Sequence, residues 1–247
     1  MSKIGFGIDV GGSGIKGARV DLETGEFVGD RIKILTPKPA TTDAVAETIV
    51  AILNQAEWDG PVGITLPSVV KNQHAHTAAN IDPSWVNTDL TELFSRHLPE
   101  RRVHVLNDAG LAEVKFGHPD ASHGSVIMLT FGTGIGSAFF QDGVLFPNTE
   151  LGHLAFKNSE VEKYASSAVK DNEELSYTQW AKRVSKVLTE FERLFWPSLF
   201  IAGGGISRKS EKWIPKLTST TPVVAAELRN RAGIVGAAMA VEQGLLP

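Results

Sequence analysis

Glycine-rich turns at the ends of short apolar strands limit what this 247-residue chain can fold into more than any other feature. Residues 3–10 form an apolar run that closes on Gly11-Gly12-Ser13-Gly14. Residues 125–131 form a second one, closing on Gly132-Thr133-Gly134. A third, 198–202, runs into Gly203-Gly204-Gly205. Short apolar runs bounded by such turns read as buried strands. The first two match in detail: Asp9-Val-Gly-Gly-Ser-Gly-Ile aligns with Thr130-Phe-Gly-Thr-Gly-Ile once one residue is skipped. Two strand–turn–strand units about 120 residues apart predict a duplicated domain.

The rest of the pattern is mixed α/β. Strands are expected over 14–22 and 26–35, completing an antiparallel meander. A helix follows from Thr41-Thr42, with Val45, Ile49, Ile52 and Leu53 on one face. Strands are expected at 61–66 and 102–106, and a helical stretch over 109–116. In the second half, strands are expected at 135–140 and from Val144 to Phe146, joined by Asp142-Gly143. Beyond Leu175, Trp180, Val184, Val187, Leu188, Phe191, Leu194 and Phe195 recur at helical spacing until Pro197. A short strand at 222–226 and a small-residue helix over 233–243 close the chain.

Composition removes several functions. Twenty-four basic against 28 acidic residues give a net charge of −4, so the chain is not a bulk nucleic-acid binder. There is no cysteine, which excludes disulfides, a thiol nucleophile and any zinc site that uses Cys. No run approaches the ~20 apolar residues of a membrane span, and no signal peptide precedes the first glycines, so a soluble cytoplasmic protein is expected.

Glycine turns after strands let backbone N–H groups approach phosphates; each taken alone is equally an ordinary tight hairpin. Neither a Walker loop nor G-x-G-x-x-G occurs, so a P-loop or dinucleotide fold is unsupported. Asp9 beside the first turn makes sense near phosphates mainly through Mg²⁺. Asp108 follows Asn107 at a predicted strand end. It is placed either to take a proton from a hydroxyl or to cap the helix that begins at Ala109. Glu150 and His153 flank Gly152; they bond several sugar hydroxyls or belong to an ordinary loop.

These residues carry a resemblance. The segments from Asp9 to Lys16 and from Leu129 to Gly136 resemble the two phosphate motifs of the superfamily that unites sugar kinases, Hsp70 and actin. Ala202-Gly-Gly-Gly-Ile-Ser207 resembles its adenosine segment. Asn107-Asp108 and Glu150-Leu-Gly-His153 resemble the sugar-binding and catalytic motifs of the ROK family of repressors and sugar kinases. The matches run in family order to Ala232-Gly-Ile-Val-Gly-Ala-Ala238. Many members carry a Cys-rich zinc site after the motif's histidine. Here residues 154–167 hold no Cys but do hold Glu162 and Ala165-Ser166, which resembles the polyphosphate glucokinase branch.

The resemblance implies two actin-like, ribonuclease H-like domains flanking a cleft. They are expected at 1–107 and 108–232, with a closing helix at 233–247 packed back on the first. It implies phosphorylation of glucose and mannose at the 6-hydroxyl by polyphosphate or ATP, with Mg²⁺ and without zinc, in a homodimer. Asn80, Asn107, Asp108, Glu150, His153 and Glu162 would bind the sugar, and Asp108 would be the base. Asp9 would hold Mg²⁺ through water. Gly11, Gly12, Ser13, Gly14, Lys16, Thr130, Gly132, Thr133 and Gly134 would hold phosphates, and Gly203, Gly204 and Gly205 would flank adenosine. Family repressors carry a DNA-binding segment before the first motif, for which residues 1–8 leave no room. The rivals are a strictly ATP-dependent hexose or acylhexosamine kinase and a sugar-responsive regulator without turnover.

Other residues are ambiguous at this level. His74 and His76 lack an evident third metal ligand and read as a solvated loop. Lys182, Arg183 and Lys186 read as a solvated helix face rather than a polyphosphate track. Arg208, Lys209, Lys212 and Lys216 are either donor contacts or surface. Lys16 faces the phosphates or solvent. The five tryptophans are expected in the core and cleft wall.

Overall fold

The computed structural model describes residues 3–78, 81–107, 110–228 and 231–246. Its packing separates into two compact units, Met1–Phe116 together with Asn230–Pro247, and Gly117–Arg229.

The first unit opens with a hairpin of β1 (Ile4–Gly11) and β2 (Gly14–Asp21), in which Asp9 lies opposite Lys16 and Gly11 opposite Gly14. β3 (Ile32–Ile34) pairs antiparallel with β2. It is shorter than the strand expected over 26–35. Gly29, at φ +83°, turns an exposed stretch out of the sheet and leaves only a single bridge between Val20 and Phe27. α1 (Thr42–Gln55) starts at Thr41, whose side chain accepts the Ala44 N–H, and buries Val45, Ile49, Ile52 and Leu53. β4 (Val62–Thr65) pairs parallel with β1.

A small sheet then forms from β5 (Val70–Lys71), β6 (His74–Ala75) and β7 (Thr88–Asp89), followed by α2 (Leu90–His97). His74 therefore lies in a strand and not in a solvated loop. Its Nδ1 bonds the Asn72 carbonyl and its Nε2 lies 3.7 Å from Asp89. β8 (Val103–Leu106) completes the main sheet in the order β3-β2-β1-β4-β8. The helical stretch expected over 109–116 is a short turn, α3 (Gly110–Ala112), running into a π-helix, Glu113–Gly117.

α7 (Ala232–Gln243) packs across β1, β4 and β8 with almost every residue buried. The approach is backbone to backbone. A Cβ on Gly7 would lie 1.8 Å from the Ile234 carbonyl oxygen, and one on Gly63 would lie 1.7 Å from that of Ala237. A helix carbonyl cannot swing aside as a side chain can, so these strand positions must be glycine for α7 to sit where it does.

The second unit repeats the plan. β9 (Ser125–Phe131), β10 (Ile135–Gln141) and β11 (Val144–Phe146) form the antiparallel part. A hairpin of β12 (Ala155–Phe156) and β13 (Ser159–Glu160) leads into α4 (Val161–Ala165), α5 (Ser167–Asn172) and the long α6 (Tyr177–Phe195). β14 (Leu199–Gly203) and β15 (Val223–Ala225) then add in parallel, giving the order β11-β10-β9-β14-β15. Both five-stranded sheets thus carry three antiparallel strands followed by two parallel ones.

Ser176 and Gln179 form a capping box at the start of α6. Phe131, Trp180 and Trp213 pack edge to face beneath the sheet, with ring centroids 4.8–5.7 Å apart. Trp85 is also fully buried, but Trp196 is 86% exposed, contrary to the expectation for the tryptophans. It sits in the left-handed cap that ends α6, which turns its side chain off the buried face. Among the described residues no helix is long and apolar enough to cross a membrane.

Because the Ala237 carbonyl occupies the space a methyl group would need, Gly63→Ala is expected to lower stability by at least about 1–3 kcal/mol. Chemical denaturation beside the unsubstituted chain measures this; an unchanged midpoint would mean that α7 is free to shift.

Candidate active site

The first glycine turn ends β1 and is anchored by the Thr36 hydroxyl, which donates to the Gly11 carbonyl. Gly12 and Ser13 are exposed, and Gly14 is buried in β2. Lys16 lies directly across the hairpin from Asp9, with Nζ 2.9 Å from Asp9 Oδ2. A Cβ on Gly11 would come within 3.6 Å of the same Nζ. Lys16 therefore neither points freely to solvent nor stands as an isolated phosphate contact; it is the counter-ion of Asp9 beside the turn.

The Asp9 carboxylate keeps acceptor capacity. Among the described residues, Oδ1 takes only a long bond from the Thr65 hydroxyl at 3.4 Å, and the side chain is 31% exposed. One accessible carboxylate is a fitting donor set for Mg²⁺, which binds few protein oxygens and keeps several waters. The adjacent ammonium favours an outer position for that ion over direct ligation. Asn107, just past the end of β8, is half-buried and already engaged in the fold. Asn80 and Asp108 lie outside the described residues.

In the second unit, Thr130 is half-buried at the end of β9, and Gly132 and Thr133 are exposed at the turn. The Gly132 N–H donates to the Gly134 carbonyl at 3.0 Å, so this amide is not open to a phosphate. Among the described residues, the Thr133 amide and hydroxyl and the Gly134 amide are the donors the turn leaves free. The Gly132 carbonyl is held by the Ser167 hydroxyl at 2.9 Å and the Ala168 N–H at 3.1 Å, which fastens the turn to the start of α5.

Glu162, on α4, reaches back to the same turn. Its Oε2 accepts the Ile135 N–H at 3.3 Å, and a Cβ on Gly134 would lie 2.3 Å from that oxygen. Here glycine leaves space for a carboxylate.

Glu162 also lies beside His153. His153 Nδ1 is 3.7 Å from Glu162 Oε1 and 3.6 Å from Glu160 Oε2. One ligand atom from each of these three residues falls within 4.8 Å of the others, a set able to accept hydroxyl protons or to meet a divalent cation. Lys163 and His153 hold the Glu160 carboxyl below its usual range, chiefly through the Lys163 hydrogen bond. Sequence reading does not single out Glu160, because the β12–β13 hairpin that folds it back toward His153 is only two residues per strand.

The loop carrying Glu150 and His153 is fixed by Ser137 on β10. Its hydroxyl donates to the Thr149 carbonyl at 2.7 Å and accepts the Leu151 N–H at 2.9 Å. Gly152 packs against the Ile135 carbonyl, 2.0 Å from where its Cβ would be. Glu150 is half-buried and already engaged in the fold. Downstream, the Trp180 indole N–H donates to the Ala165 and Ser166 carbonyls at 2.9 and 3.2 Å. Ser166 caps α5.

Gly203 pairs with Thr130, so the third glycine turn lies at the same sheet end as the second. Gly204 has φ +86°, and its Cβ would lie 2.3 Å from the Phe131 carbonyl oxygen, so both conformation and space require glycine. Gly205 begins a 3-10 helix, Gly205–Lys212. Between that helix and the end of β15 lies an open groove of about 790 Å³, lined in part by His118, Ser207, Arg208, Glu211 and Glu227.

Of the basic residues on α6, Arg183 is taken up by a two-pronged ion pair with Glu173, while Lys182 and Lys186 are exposed. Of those after the third turn, Arg208 lines the groove and Lys212 lies over the Tyr177 ring.

Comparison with known proteins shows the family. The model of the ROK family matches residues 5–165. The chain is 55% identical over 239 residues to a polyphosphate glucokinase of Mycobacterium tuberculosis (strain CDC 1551 / Oshkosh), covering 96% of this chain and 90% of that protein. It superposes on the inorganic polyphosphate/ATP-glucomannokinase from Arthrobacter sp. strain KM with a TM-score of 0.88 and 42% identity, over 98% of this chain and 99% of that one. A ROK family glucokinase from Streptomyces griseus, in complex with glucose and AMPPNP, matches with a TM-score of 0.77 and 26% identity, over 98% and 100% of the two chains. The two units have the actin-like fold of such kinases.

Ser137→Ala removes an acceptor and a donor from the Glu150–His153 loop. The expected loss is about 1–3 kcal/mol in thermal denaturation, since the half-buried Leu151 N–H and Thr149 carbonyl lose their shared partner.

Proposed function

This chain belongs to the ROK family and is a sugar kinase, and from that premise we propose that it phosphorylates glucose, and mannose likewise, at the 6-hydroxyl with polyphosphate or ATP. Glu162 carries this reading. One carboxylate touches the backbone of a glycine turn through one oxygen and stands beside His153 through the other. Acceptors for sugar hydroxyls and a phosphate-holding turn are thereby built as one piece.

In the proposed reaction, Asn80, Asn107, Asp108, Glu150, His153 and Glu162 hold the sugar. Asp108 takes the proton of the 6-hydroxyl as its oxygen bonds to the terminal phosphorus of the donor. The bond to the leaving oxygen breaks, releasing ADP or a polyphosphate one unit shorter. The first turn, Gly11 to Gly14, and the Thr133 amide and hydroxyl orient the phosphates. Lys16 and Asp9 set the local charge balance. When bound, Mg²⁺ neutralises charge on the transferring phosphates, and Asp9 would hold it through water. Adenosine lies against Gly203, Gly204 and Gly205, next to the groove lined by Ser207 and Arg208. Little covalent chemistry is asked of the protein: positioning and exclusion of water are the main demands.

The absence of cysteine fits a reducing cytoplasm. Exposed Val144 and Phe146 on β11, linked to the end of α6 by the Phe139 contacts with Phe146 and Phe195, support self-association as a homodimer.

Asp108→Asn is expected to lower kcat about 10²–10⁴-fold, the usual contribution of a positioned base, with KM for glucose changed little. Sugar 6-phosphate formation measures this, and a variant that kept full turnover would overturn the base. His153→Ala is expected to raise KM for glucose about tenfold, the equivalent of one lost hydrogen bond, with both donors alike. A chelator is expected to abolish turnover with either donor. Turnover with ATP alone would remove the polyphosphate part of the reading and leave the sugar site intact.

A further inference from the structure

Two segments leave the neighbouring glycine turns of the second unit and meet again on one aromatic ring. α5 starts against the Gly132 carbonyl, and Lys170 follows within one helical turn of Ser167. The 3-10 helix that begins at Gly205 ends at Lys212. Lys170 Nζ lies 4.7 Å and Lys212 Nζ lies 5.9 Å from the centre of the Tyr177 ring. Tyr177 is the first residue of α6, held there by the Ser176 capping box.

The two ammonium groups are not equally neutralised. The nearby carboxylates do not serve both. Asp171 pairs with Lys170 from an exposed position, and Glu173 is taken by Arg183. Among the described residues Lys212 forms no ion pair. The ring attracts both cations without neutralising them; Lys170 is neutralised by Asp171, at 3.0 Å, and Lys212 is not.

The 3-10 helix also divides its residues between two directions. Ser207, Arg208, Ser210 and Glu211 line the groove beside β15. Lys212 does not line it and turns instead to Tyr177. A nucleotide seated by Gly203–Gly205 and that groove ends in a nucleoside. A polyphosphate has no such end, and its chain must continue past the glycine turns.

We propose that Lys170 and Lys212, gathered on Tyr177, are a donor-selective subsite that holds the distal phosphates of an inorganic polyphosphate. The proposal rests on the donor assignment made above. A linear polyphosphate, like a nucleic-acid backbone, carries closely spaced charges with condensed counter-ions, so each lysine that meets it adds a salt-dependent increment to binding. On the Lys182, Arg183 and Lys186 face of α6, Arg183 is locked in a two-pronged pair with Glu173, whereas Lys170 meets the exposed Asp171 through a single contact.

The test is steady-state kinetics at saturating glucose with long-chain polyphosphate, tripolyphosphate and ATP, at several salt concentrations. The chains compared are the unsubstituted enzyme, Lys170→Gln, Lys212→Gln, the double variant and Lys186→Gln. Expected is a rise of about tenfold in the ratio of KM for long-chain polyphosphate to KM for ATP in each Lys170 or Lys212 variant. The slope of log KM against log salt should fall by about one per lysine removed. Tripolyphosphate should respond less than the long chain, and Lys186→Gln should match the unsubstituted enzyme. A ratio that stays constant, or rises equally in Lys186→Gln, overturns the subsite while leaving the donor assignment standing. Failure of the unsubstituted enzyme to use polyphosphate at all overturns the donor assignment and the subsite with it.

Discussion

The parallel pairing of β14 with β9 is the constraint on which the second unit's chemistry depends. Gly203 lies opposite Thr130, so the chain leaves two adjacent strands at the same sheet end through two glycine turns. The turns touch: Gly204 sits so close to the Phe131 carbonyl that a side chain would collide with it. Such contact places two sets of backbone dipoles together, and everything else there is fastened to it. α5 hangs on the Gly132 carbonyl, α4 returns Glu162 to the Ile135 amide, and the 3-10 helix starts from Gly205. The Phe131, Trp180 and Trp213 cluster beneath makes the arrangement stiff, since close-packed rings leave no slack for the turn to move.

The first unit uses the same strand order but spends its glycines differently. Gly7 and Gly63 face a helix backbone, not a ligand. Their small size lets α7, itself built of small residues, lie on the sheet and bury nearly its whole surface. Identical topology thus carries a glycine turn in each unit, and in the first it also admits close helix packing.

Charge placement sorts the polar residues. Asp9 with Lys16, and Arg183 with Glu173, are pairs that neutralise one another. His153 stands between two carboxylates without a short hydrogen bond to either, an arrangement left open to a hydroxylated ligand. Lys212 is held by an aromatic ring rather than by a carboxylate.

Much of this was legible in the amino-acid order. The strand from Ser125 to Phe131, the glycine turns, the duplicated plan and the buried face of α1 follow from periodicity and from residues with restricted backbone choices, which are local properties. The resemblance likewise picks out Asp9, Glu150 and His153 through short motifs, and Glu162 through the Cys-free segment that follows them. Tertiary structure alone decided what those residues meet. That Lys16 would pair with Asp9 depends on hairpin register, and that the Gly132 amide would be spent on Gly134 depends on the geometry of one turn. Glu160 joining His153, and Lys170 and Lys212 converging on Tyr177, bring together residues that no sequence period relates. Local conformational preference acts over a few residues. Contacts between elements are set by how whole strands and helices pack, which distributes the same charges into pairs, clusters and open sites that the order of residues does not specify.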